Sequence, residues 1–177
     1  MARELPVIFL IDNSQDMFGK IHHGFVKKIH KIKESMVLNP NLLEICRVMV
    51  WSVNRVVNPL NGFQDLSEVF VSNEESKIKI VNSRRSESNF GAAFNQLNLV
   101  LGGRDIQKSH KPLVISFMPK LPTDEWREAA GKLKEIADVV CIAEASIISD
   151  ISSVIKDIYS IDENWDVGYH MRQYFWS

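Results

Sequence analysis

Short continuous apolar runs alternate along the chain with longer stretches whose apolar residues recur at helical spacing. The first run, Pro6 to Asp12, carries Val7, Ile8, Phe9, Leu10 and Ile11 and ends in the polar Asp12-Asn13-Ser14. Its continuous β-branched and aromatic character predicts a strand covered on both faces, as in a parallel sheet. From Lys20 to Glu34, Ile21, Phe25, Ile29 and Ile32 follow a helical period while Lys27, Lys28, Lys31 and Lys33 fill the other side. That pattern predicts an amphipathic helix with a solvated lysine face.

The same alternation continues to the end. Ile45 to Val53 and Arg55 to Val57 are strand-like with a break near Asn54, which predicts an antiparallel hairpin at a sheet edge. The segment KIKIV at Lys77 to Val81 reads as a short strand inside a polar, irregular region. Phe90, Ala93, Phe94, Leu97 and Leu101 mark a helix stopped by Gly102-Gly103, and Pro112 to Phe117 is another buried strand. Pro122-Thr123-Asp124-Glu125 offers a cap and first-turn acids to a helix carrying Trp126, Ala130, Leu133 and Ile136, and the strand Val139 to Ala143 follows. Ile148 to Ile155 is expected as a helix, Asp157 to Ile161 as a short strand and Trp165 to Trp176 as a closing helix, with Trp126 and Tyr174-Phe175-Trp176 as packing groups. These elements predict a doubly wound, Rossmann-like α/β fold: a mostly parallel sheet with one antiparallel edge strand, helices on both faces, and ligand sites beyond the carboxyl ends of the strands.

Composition narrows the setting. With 177 residues, 45% of them hydrophobic, and no repeat or linker, the chain is expected to form a single domain over residues 1–177. A formal net charge of −1 gives no general attraction to nucleic acid or acidic membrane, so neither is expected as a partner. Cys46 and Cys141 lie in apolar runs and form no disulfide framework. The N-terminal apolar run PVIFLI is too short for a secretory leader, and no stretch approaches the roughly 18 apolar residues of a membrane span, so a cytoplasmic location is expected.

The informative segment is Asp12-Asn13-Ser14-Gln15-Asp16, at the carboxyl end of the first strand. LPVIFLIDNSQDM resembles the opening of von Willebrand factor A (VWA) domains, where an apolar strand runs into Asp-x-Ser-x-Ser, the first part of the metal-ion-dependent adhesion site. Further on, SESNFGAAF is similar to the family's Gly-Thr-(Thr/Asn)-x-Leu-Gly-x-Ala-Leu, with Ser88 in place of the metal-binding Thr and Gly91 in place of the helix Gly. HKPLVISFMPKLPTDEW and LEICRVMVWSVNRVVNPL resemble the TerY-like, tellurite-resistance branch, whose pattern has Thr-Asp-Gly where this chain has Met118-Pro119-Lys120.

The resemblance implies a hard divalent cation, magnesium or manganese, held by oxygen ligands, with one coordination position left for an acidic side chain of a partner protein. Carried over residue by residue, the metal set would be Asp12, Ser14, Asp16 and Ser88, with Asp16 replacing the family's second Ser. Pro119 stands where the family has an acid and can neither ligate nor hydrogen-bond through its side chain. Lys120, Arg84 and Arg85 bring positive charge to the same rim. Two outcomes are open: a rearranged cation site, or one without metal that is empty or bridged internally, in its sharpest form by Lys120 with Arg84 or Arg85 against Asp12 or Asp16. The redistributed charge favours the second.

Plainer readings compete. Asp-Asn-Ser after a strand often only turns the chain, because these side chains bond nearby amides. His22 and His23 are adjacent on a helix and diverge, and His30, His110 and His170 have no ligand-spaced partner. A haloacid-dehalogenase-type phosphohydrolase also opens with an apolar strand and Asp, but its second carboxylate would fall at Ser14. No Gly-x-Ser-x-Gly elbow, phosphate loop or dinucleotide fingerprint is present. The expected function is a non-catalytic protein-binding scaffold, set by the TerY-like resemblance in a bacterial stress or tellurite-resistance system. Its contact surface would comprise Asp12, Ser14, Asp16, Arg84, Arg85, Ser88 and Lys120. A purely structural, metal-free subunit is the alternative within the same fold.

Overall fold

A computed structural model describes residues 3–17, 20–70, 86–103 and 109–174. Its strands are β1 (Leu5–Asp12), β2 (Cys46–Val53), β3 (Val57–Pro59), β4 (Gln64–Asp65), β5 (Leu113–Met118), β6 (Asp138–Ala143) and β7 (Asp157–Ser160). They form one sheet in the order β3-β2-β1-β5-β6-β7, with β4 also on β2. The pairs among β2, β1, β5, β6 and β7 are parallel, and β3 and β4 run antiparallel to β2. The single antiparallel edge strand expected from the sequence is thus split between two short segments. One lies against Trp51–Val53 and the other against Arg47–Val48.

All eight residues of β1 are buried, and their alternation feeds two cores. Leu5, Val7, Phe9 and Ile11 pack with Phe25, Ile29, Ile32 and Met36 of helix α1 (Lys20–Val37) and Leu42 of α2 (Pro40–Ile45). Leu66 of the short helix α3 (Leu66–Phe70) joins this first core, and on the opposite face Ile8 and Leu10 pack with Phe90, Phe94 and Leu97 of α4 (Phe90–Gly102) and Leu133 of α5 (Trp126–Ile136). Trp126 belongs to this second core and is 2% exposed. Asp12 follows the parity of Ile8 and Leu10, so its side chain leaves the strand on the α4 side.

The strands and long helices fall close to where the apolar pattern predicts them, and the differences have local causes. Helix α1 continues to Val37, burying Met36. Its lysine face is not wholly solvated: Lys28 is buried, with its ammonium donating to the Glu163 carbonyl, and burial, with Lys31 nearby, pushes its pKa down. The expected helix from Ile148 stops at Ile151 (α6, Ile148–Ile151), where Ser152 and Ser153 hydroxyls bond back to the carbonyls of Ser149 and Asp150. The closing helix begins at Val167 rather than Trp165 (α7, Val167–Met171), because Asp166 caps it by accepting from the Tyr169 amide at 3.1 Å. Residues 175–177 and the KIKIV segment lie outside the described residues. Both cysteine thiols are buried and unpaired, and burial raises the Cys46 pKa to about 12. Among the described residues no helix is long and apolar enough to cross a membrane.

Phe117 shows how closely the first core is fitted: it is fully buried, stacked on Phe9 at 6.1 Å and edge-on to Phe25 at 6.4 Å. Phe117→Ala is expected to cost about 3–5 kcal/mol in urea unfolding. Leu99→Ala, at a side chain 82% exposed, should stay within about 0.5 kcal/mol of the parent.

Candidate functional site

The site begins where β1 runs out. Asn13 extends the pairing with β2 by one bond, its amide donating to Val53 O at 2.7 Å, and the chain then enters a single 3-10 turn, Gln15–Met17. At this bend Asp12 Oδ1 accepts from the Ser14 amide at 2.6 Å, the turn-forming bond that short acidic side chains make two residues on. Oδ2 accepts from the Ser88 hydroxyl, 76 residues away in sequence. Asp12, Ser14 and Ser88 are fully buried. Because β2 and β5 flank β1 on opposite sides, Asp12 lies at the switch point of the strand order, where open α/β sheets present their ligand crevice.

A second layer of bonds holds Ser88 in place. Its amide donates to Thr123 Oγ1 at 2.9 Å, its carbonyl accepts from the Thr123 amide at 2.9 Å, and the Thr123 hydroxyl donates to Asn89 Oδ1 at 3.1 Å. Asp124 accepts from the amides of Gly91 and Ala92 at 2.9 and 2.8 Å, placing a carboxylate at the positive N-terminus of α4. The sequence assigned Thr123 and Asp124 to the helix that follows them. Instead they serve α4, because the loop after β5 folds back over its first turn, and α5 starts without a side-chain cap. Gly91 is what permits this approach, since a Cβ there would lie 2.7 Å from Glu125 O and 2.9 Å from its carbonyl carbon.

Electrostatics follow from burial. The Asp12 carboxyl is pushed above its ordinary value of 3.8 by desolvation, and hydrogen bonding from Ser14 and Ser88 and the Lys120 ammonium work against that rise. The Lys120 ammonium donates to the Ser86 carbonyl, joining the loop after β5 to the loop before α4. Among the described residues, Asn13 Oδ1 and Ser14 Oγ are buried without a hydrogen-bond partner. Of the residues singled out from sequence, Asp12, Ser14 and Ser88 converge, and Lys120 acts on them through its charge. The Asp16 side chain, Arg84 and Arg85 lie outside the described residues. Thr123 and Asp124 were not recognised as site-building residues, although a Thr-Asp pair beside a strand end is a capping signal.

The donor set decides whether a divalent cation fits. Among the described residues one carboxylate, Asp12, and two hydroxyls, Ser14 and Ser88, converge, with Pro119 buried at the end of β5 offering no donor. No group of three or more His, Cys, Asp or Glu able to hold an ion occurs among these residues. Ser14 Oγ, unpartnered among the described residues, could serve as a ligand, but a hard cation is held largely by carboxylate charge, and the one acid that converges here among the described residues, Asp12, is already acted on by an ammonium. The described residues do not fit a divalent ion.

Comparison with solved structures gives the class of fold. The chain is similar to manganese-loaded TRAP protein of Plasmodium vivax, with a TM-score of 0.74 at 13% identity over 97% of this chain and 73% of that one. It is also similar to the SpRpn10 VWA domain (TM-score 0.62, 14% identity, 96% and 95% covered). A third likeness is to BatB of Bacteroides thetaiotaomicron (0.68, 13%, 97% of each chain). Proximal thread matrix protein 1 of the mussel byssus matches with a TM-score of 0.70 at 13% identity over 98% of this chain, which spans about half, 47%, of that protein's length. No protein-family profile and no curated protein matches the sequence. The fold is that of a VWA domain.

Two substitutions probe the geometry. Gly91→Ala drives a Cβ into main-chain atoms and is expected to cost about 1–3 kcal/mol, whereas Gly131→Ala, with open space at its Cβ in α5, should stabilise by about 0.5–1 kcal/mol. Equal effects in urea unfolding would contradict the close approach. The second concerns pH. A carboxyl whose folded-state pKa is raised contributes stability that is full below 3.8 and lost as pH rises through the folded-state value. Asp12→Asn cannot ionise, so its stability relative to the parent is expected to improve as pH is raised from below 3.8 to neutrality. A difference that stays constant over that range would show Asp12 to be unperturbed.

Proposed function

We propose that the chain, residues 1–177 acting as one module, is a non-catalytic scaffold that captures another protein through the loops at the carboxyl end of its sheet. The carrying observation is that the loops after β1, before α4 and after β5 are tied to one another by Asp12–Ser88, Ser88–Thr123 and Lys120–Ser86. Loops fixed to one another on a sheet buried on both faces present a constant surface, which suits recognition. The VWA fold supports the same interaction class. Positive charge from Lys120, Arg84 and Arg85 suits an acidic side chain of the partner.

The non-catalytic reading is supported by Asp12 itself. It is fully buried with both carboxylate oxygens engaged, so it is withheld from nucleophilic attack, and the position two residues on holds a serine instead of an acid. The TerY-like resemblance of Lys111-Pro112-Leu113-Val114 and Pro122-Thr123-Asp124-Glu125-Trp126 supports a role in the bacterial cytoplasm, in a tellurite-resistance or related chemical-stress system.

Affinity capture from the native host should recover a protein that binds the purified parent and the control Leu99→Ser with equal strength. Lys120→Glu, checked to be folded by its unfolding midpoint, should weaken that complex at least about tenfold, roughly the loss of one charge pair. Undiminished binding by Lys120→Glu would remove the loop surface from the interface. Hydrolysis of p-nitrophenyl phosphate with magnesium, abolished by Asp12→Asn, would overturn the non-catalytic reading.

A further inference from the structure

The misfit between the donor set and a divalent ion has a positive counterpart in Lys120. Register brings its segment to the same end of the sheet as Asp12: Ile11 pairs with Phe117, so β5 ends next to the end of β1, and the Lys120 charge acts on the Asp12 carboxyl. From there the ammonium reaches the carbonyl of Ser86, two residues before the serine that donates to Asp12. One side chain therefore ties the loop after β5 to the loop that carries Ser88. Its neighbour Pro119 is buried and has neither an amide hydrogen nor a side-chain oxygen, so the segment that brings the charge also removes a ligand.

We propose that Lys120 is the resident cation of this site: anchored on Ser86, it supplies at the Asp12–Ser88 rim the fixed positive charge that a divalent ion would otherwise bring, and with Pro119 it keeps such an ion out. The lowering effect of its charge on the Asp12 carboxyl agrees with this placement. The consequence for binding rests on the interaction reading above: recognition of an acidic group would need no metal. The exclusion of metal stands without it.

The probe is manganese alone, followed by the electron paramagnetic resonance of the free aquo ion and by thermal unfolding. The parent should show no saturable binding up to millimolar metal and no change in Tm. Pro119→Asp combined with Lys120→Gly should gain saturable binding and a Tm that rises with manganese, both lost on adding Asp12→Asn. Without metal, Lys120→Gln should lower Tm by about 2–4 °C, and Lys120→Arg should restore most of it. Saturable binding by the parent that Asp12→Asn abolishes overturns the proposal. So does a folded double variant that gains no binding, or a Lys120→Gln protein as stable as the parent. If the double variant fails to fold, the parent titration and the single variants still decide. None of these outcomes bears on whether the loops bind a protein, so failure here leaves the capture experiment to judge that reading separately.

Discussion

A carboxylate carried into the interior must be answered by donors, and much of this molecule's upper end is arranged to supply them. Asp12 closes a strand with no exposed residue, and burial alone would drive it towards the neutral form. The amide of Ser14 comes at little expense, since the chain turns there anyway. The Ser88 hydroxyl does not, because it must be delivered from a distant loop and held against its own conformational freedom, and the Lys120 ammonium adds only its charge, anchored on the Ser86 carbonyl.

That holding links the site to the core. Ser88 is fixed by Thr123, and Asp124, the next residue, closes the first turn of α4 on the amides of Gly91 and Ala92. The closure requires the chain at Asp124 and Glu125 to lie against residue 91, so α4 and α5 are locked together at the end where the site lies. Phe90, Phe94, Trp126 and Leu133, which fill the core beneath, are thereby placed by the bonds that place Ser88. Packing and site geometry are one arrangement seen from two sides.

What could be read from the sequence follows from how local each cause is. β1, β5, β6 and α4 carry an unbroken apolar signal, so their positions follow from periodicity. The short elements α2, α3 and β4, of six, five and two residues, carry no such signal. They depend on single contacts: Asn39 caps α2 locally, and Asn61 Oδ1, between β3 and β4, accepts the Val50 amide at 2.7 Å. Lys28 departs from the solvated face that its helical position predicts because the carbonyl that satisfies it belongs to Glu163, far along the chain. In the site, Asp12, Ser14 and Ser88 were legible because the resembled pattern orders them along the sequence. A capping acid, by contrast, gives no sign of which helix it caps, and Asp124 caps the preceding one.

Charge balance makes the departures at residues 119 and 120 intelligible together. In the resembled pattern, acids at the positions of Asp12 and Pro119 face a divalent cation, and the three charges cancel. Here Lys120 brings a single positive charge to act on Asp12, anchored through the Ser86 carbonyl. Replacing only the acid by proline would leave a cation with too few negative ligands; adding only the lysine would set an ammonium against a metal. The two changes are electrostatically consistent with each other, and they occur as neighbours on the segment that folds back over α4.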